Sequence, residues 1–308
     1  MFSWLKRQHE LPGLVGIQIQ PDGVSWARVL SSAEGLPDLT HCEYLECAGA
    51  GQGELLVEQL KQLGLQGSYC NYLLSPDDYQ LLMIEAPKVP KEELNAAVQW
   101  KIKDLINFPV EDAVIDTIEL PDETARGGQK MVYVIVSQVD KIERVIASTE
   151  QAGLKLQSID VPDLILRNLA GLVSEDNRST AIVWLGSGYG ILQLSKNGSL
   201  YLSRRFDIAY DGGLLTDLPS DALILEIQRS LDYFDRQMGQ VPPNVVYLCG
   251  EHVTADKITD EMNNEFSRDL AYLDLMALLP EGHAHSEQNL QRSLLAIGAA
   301  LREADGHE

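Results

Sequence analysis

The densest candidate for chemistry in this sequence is the run Gly186-Ser187-Gly188-Tyr189-Gly190. Its glycines suggest a loop that cradles a dinucleotide. The third glycine falls one residue early, however, and strand-like residues follow where a helix should begin. The same fault excludes a nucleophile elbow around Ser187, which needs a strand-to-helix turn. His283 and His285 form a possible metal pair, but they stand in a polar linker with no third ligand nearby and read better as solvated loop histidines. Asp77-Asp78 and Asp160 with Asp163 are paired carboxylates of the kind used in acid–base work. Each pair lies near a loop or helix end, where turn formation and capping explain it. The four cysteines, Cys42, Cys47, Cys70 and Cys249, have neither metal nor redox spacing. Cys70 and Cys249 fall in apolar strand-like runs, where a thiol is a small core residue.

The elements that would position these residues repeat. A first strand, Val15 to Gln20, turns at Pro21-Asp22-Gly23 into a second, Val24 to Leu30. A third strand follows near Leu39–Cys47, then a helix over 54–63 and a strand over 69–74. The second copy starts with Ala181 to Gly186 and turns at Ser187-Gly188 into a strand over 189–194. Asn197-Gly198 is a strong hairpin signal, because both residues accept positive φ. A strand over 199–208, a long helix from Ala222 to Met238 and a strand over 244–249 complete this copy. Between the copies, Pro90 opens a helix expected to run to Ile106, stopped by Asn107-Phe108-Pro109. Strands over 114–120 and 131–137, joined through Gly127-Gly128, are followed by a helix over 139–151. A strand over 156–160 and a helix over 162–172 then lead into the second copy. A last amphipathic helix, Ser286 to Arg302, needs a surface and is expected to pack back on one of the lobes.

The 308 residues carry a formal net charge of -22, with 45% hydrophobic and 23% charged residues. That composition supports a core, and the charge repels phosphate backbones and anionic lipid, which argues against a nucleic-acid role. No run approaches the ~18 apolar residues of a membrane span. Phe2, Trp4 and Leu5 beside Lys6 and Arg7 read either as a frayed end or as a short contact to a membrane or partner. No export signal is recognised, so reduced thiols and a cytoplasmic setting are expected.

One segment is more specific than the pattern around it: Ala86-Pro87-Lys88-Val89-Pro90-Lys91-Glu92-Glu93-Leu94, continuing through Val98-Gln99-Trp100 to Asn107-Phe108-Pro109-Val110-Glu111-Asp112-Ala113. Together with Gln151 to Leu154 leading to Asp160, Glu226 to Phe234, and Ala296 to Arg302, it resembles the PilM-like actin-fold proteins of type IV pilus assembly. The likeness spans nearly the whole chain and is greatest to the members serving mannose-sensitive haemagglutinin (MSHA) pili. The resemblance implies an α/β, actin-like (ribonuclease-H-like) two-lobed fold with an inserted α+β subdomain in the first lobe. The expected boundaries are 1–175 for the first lobe (insertion 84–137), 176–285 for the second, and 286–308 for the terminal helix and tail.

In actin-like ATPases, by that likeness, a hairpin from each lobe wraps the phosphates and an aspartate ends the first strand of each. Backbone N–H groups then meet anionic oxygens while a carboxylate holds magnesium through water. This chain has Gln18 and Gln20 in the first hairpin and Trp184 in the second, although Gly186, Ser187 and Gly188 keep the turn. On the adenosine side a glycine-rich turn is reduced to Gly250-Glu251. A vestigial nucleotide cleft, no catalytic residue, no metal and no required cofactor are therefore expected, with ATP and magnesium binding without hydrolysis left open. The resemblance implies a cytoplasmic scaffold, peripheral on the inner membrane. Its partner would be the N-terminal cytoplasmic segment of a bitopic PilN- or MshJ-like protein, with indirect links to the pilus motor. Trp100, Phe108 and Pro109 are the candidates for the partner groove. An ATPase or ATP-sensing switch of pilus or type II secretion assembly, a filament former and a homodimer stay open.

Overall fold

The computed structural model describes residues 13–30, 36–125, 129–280 and 282–302. The aromatic and basic residues at the start, the Gly35 and Gly127-Gly128 loops, the His283 side chain and the tail beyond Arg302 lie outside the described residues.

Turn chemistry sets the first strand pair. β1 (Leu14–Gln20) reverses at Pro21-Asp22 into β2 (Gly23–Leu30), with Ile17 opposite Trp26, both fully buried. β3 (Asp38–Glu46) pairs antiparallel with β2, and after α1 (Gln52–Gln62) the strand β4 (Tyr69–Leu73) returns parallel to β1. An insertion follows: β5 (Tyr79–Glu85), α2 (Leu94–Ile102), β6 (Ala113–Glu119) and β7 (Met131–Gln138). Then α3 (Val139–Gln151) leads to β8 (Lys155–Asp160), parallel to β4, and to α4 (Pro162–Ala170).

The second half repeats the plan. β9 (Ser179–Leu185), β10 (Tyr189–Lys196) and β11 (Ser199–Asp207) form an antiparallel meander. Asn197 and Gly198 both adopt positive φ, 49° and 73°, as the hairpin requires. After α5 (Ser220–Arg236), β12 (Val245–Gly250) runs parallel to β9. α6 (Asp260–Glu265) and β13 (Asp269–Tyr272) complete the sheet, followed by α7 (Leu275–Leu278), α8 (Glu287–Arg292) and α9 (Leu294–Ala300).

Among the described residues the sheet orders are β3-β2-β1-β4-β8, β11-β10-β9-β12-β13 and β5-β7-β6. The first two are the same topology, a three-stranded antiparallel meander extended by two parallel strands. Two such ribonuclease-H-like sheets make the two-lobed, actin-like architecture. In the insertion, Leu94, Val98 and Ile102 of α2 pack on Val132, Val134 and Val136 of β7.

Two buried helices join the lobes. α9 lies on the first sheet so closely that a Cβ on Gly16 would stand 1.9 Å from the Ala296 carbonyl oxygen. α4 packs on β9, β10 and β11 of the second sheet and against α9, where a Cβ on Gly298 would meet Ile165 at 2.5 Å. Their side chains share one apolar cluster with both sheets, including Leu73 and Ile182.

Three local expectations are corrected. The insertion helix does not run from Pro90 to Ile106: a single turn at Lys91–Glu93 precedes it, and it ends at Ile102, beyond which the chain turns so that Ile106 and Phe108 pack against the insertion core. The insertion sheet opens at Tyr79, earlier than 84, because β5 belongs to it. The terminal helix is broken at buried Ser293 (φ -102°, ψ 8°), which lets α8 and α9 meet different surfaces.

Candidate functional site

The ends of β1 and β9 carry the two hairpins to opposite sides of one cleft of about 520 Å³. Gln18, Gln20, Trp184, Gly186, Ser187 and Glu251 all line it, so six residues singled out through the family likeness converge in space. Gly188 and Gly250 are not among its lining residues; a positive φ accounts for the first and close backbone packing for the second. Gly188 has φ 82°, and Gly250 has φ 132° with its Cβ position 2.1 Å from the Leu185 carbonyl oxygen. Only glycine permits that approach of β12 to the end of β9.

The donors of these hairpins are largely committed. Gly186 N–H donates to the Tyr189 carbonyl (3.0 Å) and Gly188 N–H to the Tyr210 carbonyl (2.7 Å). The first hairpin has proline at its tip, which has no N–H to offer. Its Gln20 and Gly23 carbonyls accept the Gln52 amide (2.6 and 3.2 Å), which also donates to the Cys47 carbonyl just after β3 (2.8 Å). The Trp184 indole lies over Gly186, whose Cβ position is 2.4 Å from Cη2, and it packs beside Tyr189 with ring centroids 5.3 Å apart.

Sequence reasoning missed the residue that crosses the cleft. Arg292, at the end of α8, pairs with Asp22 of the first hairpin and with Glu251 Oε1 after β12 (3.1 Å). Its guanidinium lies 3.9 Å from the centroid of the Tyr44 ring, and its carbonyl accepts the Gln20 side-chain amide (3.0 Å). The remaining lining is acidic: Asp22, Asp77, Asp211 and Glu251 stand against Arg205 and Arg292. Hydrogen bonds from Thr216 and the Gly213 N–H hold the Asp211 carboxyl below its ordinary range. Burial raises Tyr210 to about 12, with nearby Asp211 and Glu251 adding to it. Among the described residues no group of three or more His, Cys, Asp or Glu is arranged to hold a metal ion.

Of the paired carboxylates, Asp160 and Asp163 are structural. Asp160, its side chain fully buried, pairs with Arg302 at 2.8 Å and accepts the Val161 N–H at 2.9 Å. Asp163 accepts the Tyr79 hydroxyl (2.6 Å) and the Ser203 hydroxyl, tying α4 to the insertion and to the second sheet. Burial foremost, and Asp163 next, push the Tyr79 phenol well above its ordinary value.

The partner-groove candidates do not gather. Trp100 is 76% exposed, because the inward face of α2 is taken by Leu94, Val98 and Ile102. Phe108 is half-buried against the insertion core and Pro109 is exposed. A groove does exist beside the insertion, elsewhere. β6 and β8 are both edge strands, and between them runs an apolar groove of about 510 Å³ lined by Val114, Ile115, Ile118 and Ile159, with Asp116 at its side. The Ser158 hydroxyl, also in its wall, is buried without a hydrogen-bond partner.

No protein-family model matches the chain, and no curated protein sequence matches it. Among solved structures it is similar to one described as the PilM-PilN type IV pilus biogenesis complex, at 21% identity over 95% of this chain and 99% of that one, with a TM-score of 0.68. It also matches a Bacteroides thetaiotaomicron protein with an actin-like ATPase fold, at 10% identity over 96% and 98% of the two chains, TM-score 0.49. A third match is the cytoplasmic domain of EpsL, an inner-membrane component of the type II secretion system of Vibrio cholerae, at 13% identity over 90% and 97%, TM-score 0.49. The first of these extends the fold assignment over almost the full length of both chains.

Proposed function

We propose that this protein is a non-enzymatic scaffold of a type IV pilus assembly platform. It binds the N-terminal cytoplasmic segment of a bitopic inner-membrane partner of the PilN or MshJ kind. The observation that carries the reading is the apolar groove between the β6 and β8 edges. An extended peptide placed there can add to a sheet edge through its backbone. Juxtamembrane tails on the cytoplasmic side are rich in Lys and Arg, which suits a chain of net charge -22; within the groove Asp116 and Asp160 are balanced by Arg167 and Arg302, so there the apolar lining, not charge, selects the segment. Among the described residues no helix is long and apolar enough to cross a membrane. The protein in this reading is cytoplasmic and reaches the inner membrane through its partner. The finer assignment, to an MSHA-type pilus with this chain as the counterpart of MshI, rests on the sequence likeness through Ala86–Ala113.

The cleft, in this reading, is a pseudo-ATPase site. The residues present fit magnesium nucleotide poorly. Gln18 and Trp184 offer no charge to the metal, two hairpin N–H groups are spent on carbonyls, and acidic side chains outnumber basic ones. Phosphoryl transfer depends almost wholly on positioning and electrostatics, and both are deficient here.

The test is calorimetry and co-purification of the full chain with the N-terminal peptide of the neighbouring bitopic membrane protein. Saturable binding is expected, weakened at least tenfold by Val114→Lys, an exposed groove position. No detectable binding would sink the proposal. In parallel, micromolar binding of ATP that disappears without magnesium would replace the scaffold reading with an ATP-sensing one.

A further inference from the structure

The insertion helix α2 has one uncovered side. Leu94, Val98 and Ile102 are buried against the β7 valines. At about 100° per residue, the direction opposite Val98 is occupied by Glu93, Ala96, Trp100 and Lys103. All four are exposed, Trp100 most conspicuously at 76%. Glu93 and Lys103 stand at the two caps of α2, yet both keep right-handed helical dihedrals (φ -97°, ψ -5° and φ -52°, ψ -33°). The stripe is therefore continuous over about 16 Å. A bare indole at its middle is the kind of side chain that anchors interfaces between proteins.

The order of the stripe specifies what fits it. Intervals of three, four and three residues set Glu93 seven from Trp100 and Ala96 seven from Lys103, the repeat along which two helices pack side by side. That order is self-complementary. When the stripe lies antiparallel against a copy of itself, with a two-fold axis at the level of Val98, Glu93 comes opposite Lys103 of the partner subunit. Ala96 comes opposite Trp100 of the partner subunit, and the axis repeats both pairs. Each indole then fills the space left by an alanine, and each end of the seam joins unlike charges. A parallel arrangement would instead set glutamate on glutamate, lysine on lysine and indole on indole. Glu92 and Asp104 reach matching heights but fall on opposite sides of the seam, so these like charges do not meet.

We propose that α2 pairs antiparallel with α2 of a second copy of this chain, in a two-fold dimer held by Trp100 against Ala96 and by Glu93 against Lys103. The seam is short, about three turns from each copy, and falls below the roughly 1,200 Å² of a stable interface. The dimer is therefore weak, with a Kd on the order of 100 μM. It leaves the β6–β8 groove open in both copies. Val132, Val134 and Val136 of β7 face α2, while Ile135 and Ser137, on the other face of that strand, line the groove. Two grooves are thereby presented together, and a modest grip on one tail becomes bivalent where two partner tails share a membrane. Only this last consequence rests on the scaffold reading, and the pairing itself does not.

Sedimentation equilibrium of the full chain at low salt, from about 10 μM to 1 mM, tests this. A monomer–dimer equilibrium is expected, weakened at least tenfold by Trp100→Ala. Glu93→Lys and Lys103→Glu are each expected to weaken it about fivefold, since either change sets like charges at both ends of the seam. The double variant Glu93→Lys, Lys103→Glu is expected to recover the wild-type strength, a rescue that misfolding cannot imitate. An equimolar mixture of the two single variants is expected to form a heterodimer of similar strength. A chain that stays monomeric throughout this range, a dimer indifferent to Trp100, or a double variant no stronger than the single ones would overturn the proposal.

Discussion

Arg292→Met isolates what holds the cleft together. The substitution keeps an apolar stem and removes the guanidinium that reaches Asp22, Glu251 and the Tyr44 ring. The Asp22 side chain is 53% exposed, so that pair is largely screened and contributes about 0.5 kcal/mol. The Glu251 pair, at 32% and 14% exposure, contributes somewhat more, about 0.5–1 kcal/mol. The stacked guanidinium, partly desolvated over Tyr44, adds about 1–2 kcal/mol. Methionine regains about 0.5–1 kcal/mol against the ring, which leaves a net loss of about 2 kcal/mol. Urea unfolding at low salt should show that difference, or a melting temperature lower by about 3 °C. In 1 M salt the ion-pair part is screened and the gap should narrow to about 1 kcal/mol. Because the side chain touches both lobes, amide exchange should quicken at Asp22-Gly23 and at Glu251-His252 together. A loss below about 0.5 kcal/mol, a gap that widens with salt, or a response confined to one hairpin would refute the reasoning.

Gly16→Ala puts a methyl 1.9 Å from the Ala296 oxygen and 2.7 Å from the Ala300 nitrogen, both backbone atoms of α9. The helix has to shift, at a cost of about 3 kcal/mol, visible as a melting temperature lowered by about 4–5 °C; an unchanged melt would show that α9 does not press on β1 as described. Burial pushes the Cys42 and Cys70 thiols to about 12 and Cys249 higher still, whereas Cys47 is half-buried. A disulfide reagent at pH 8 should therefore modify Cys47 quickly and the other three only on unfolding, and rapid loss of all four would contradict the core placement. His41 has its pKa lowered by burial first, then by Arg28 and His285. The folded state therefore binds fewer protons than the unfolded one below the ordinary value of 6.5, so stability present above that pH falls as the pH drops through the folded pKa. His41→Gln should flatten this decline, and an identical pH profile in the variant would remove His41 as its source.

Legibility in the sequence followed how local each feature is. The meanders and Asn197-Gly198 could be read because turn chemistry and strand alternation are written in adjacent residues. β5 could not: all of its residues except Glu85 are half-buried, so it shows no two-residue alternation. The break at Ser293 escaped because α8 and α9 continue one apolar stripe while packing on different surfaces, α8 near β3 and β12 and α9 on the first sheet. Of the cleft, the strand-end residues were readable, since Gln18, Gln20, Trp184 and Gly186 are placed by the hairpins that carry them. Arg292 was not, because its contact with Gln20 spans 272 residues and nothing in an arginine at a helix end announces it. The register of Leu94, Val98 and Ile102 turns Trp100 to solvent, and the groove between β6 and β8 is built by strand edges whose residues look ordinary in sequence.

That distribution bears on how such a fold could transmit anything. Opening the cleft as a hinge would pull Arg292 from one of its two carboxylates and would strain the α4–α9 layer, where Gly16 lets α9 lie against β1 and Gly298 lets it lie against α4. Close-packed interiors change between discrete arrangements and do not deform smoothly, so the cost falls on the whole layer at once. The insertion is attached differently. Leu120 and Tyr133 join the apolar cluster of the lobes, Tyr79, Leu81 and Met83 pack against it, and Glu123 pairs with Lys196 and accepts the Tyr201 hydroxyl. Side chains, and no shared helix layer, therefore hold it to the second lobe. A segment that fills the β6–β8 groove would add contacts between the insertion and the first sheet without opening the α4–α9 layer, so that groove is where binding can act on the insertion at least cost to the interlobe core.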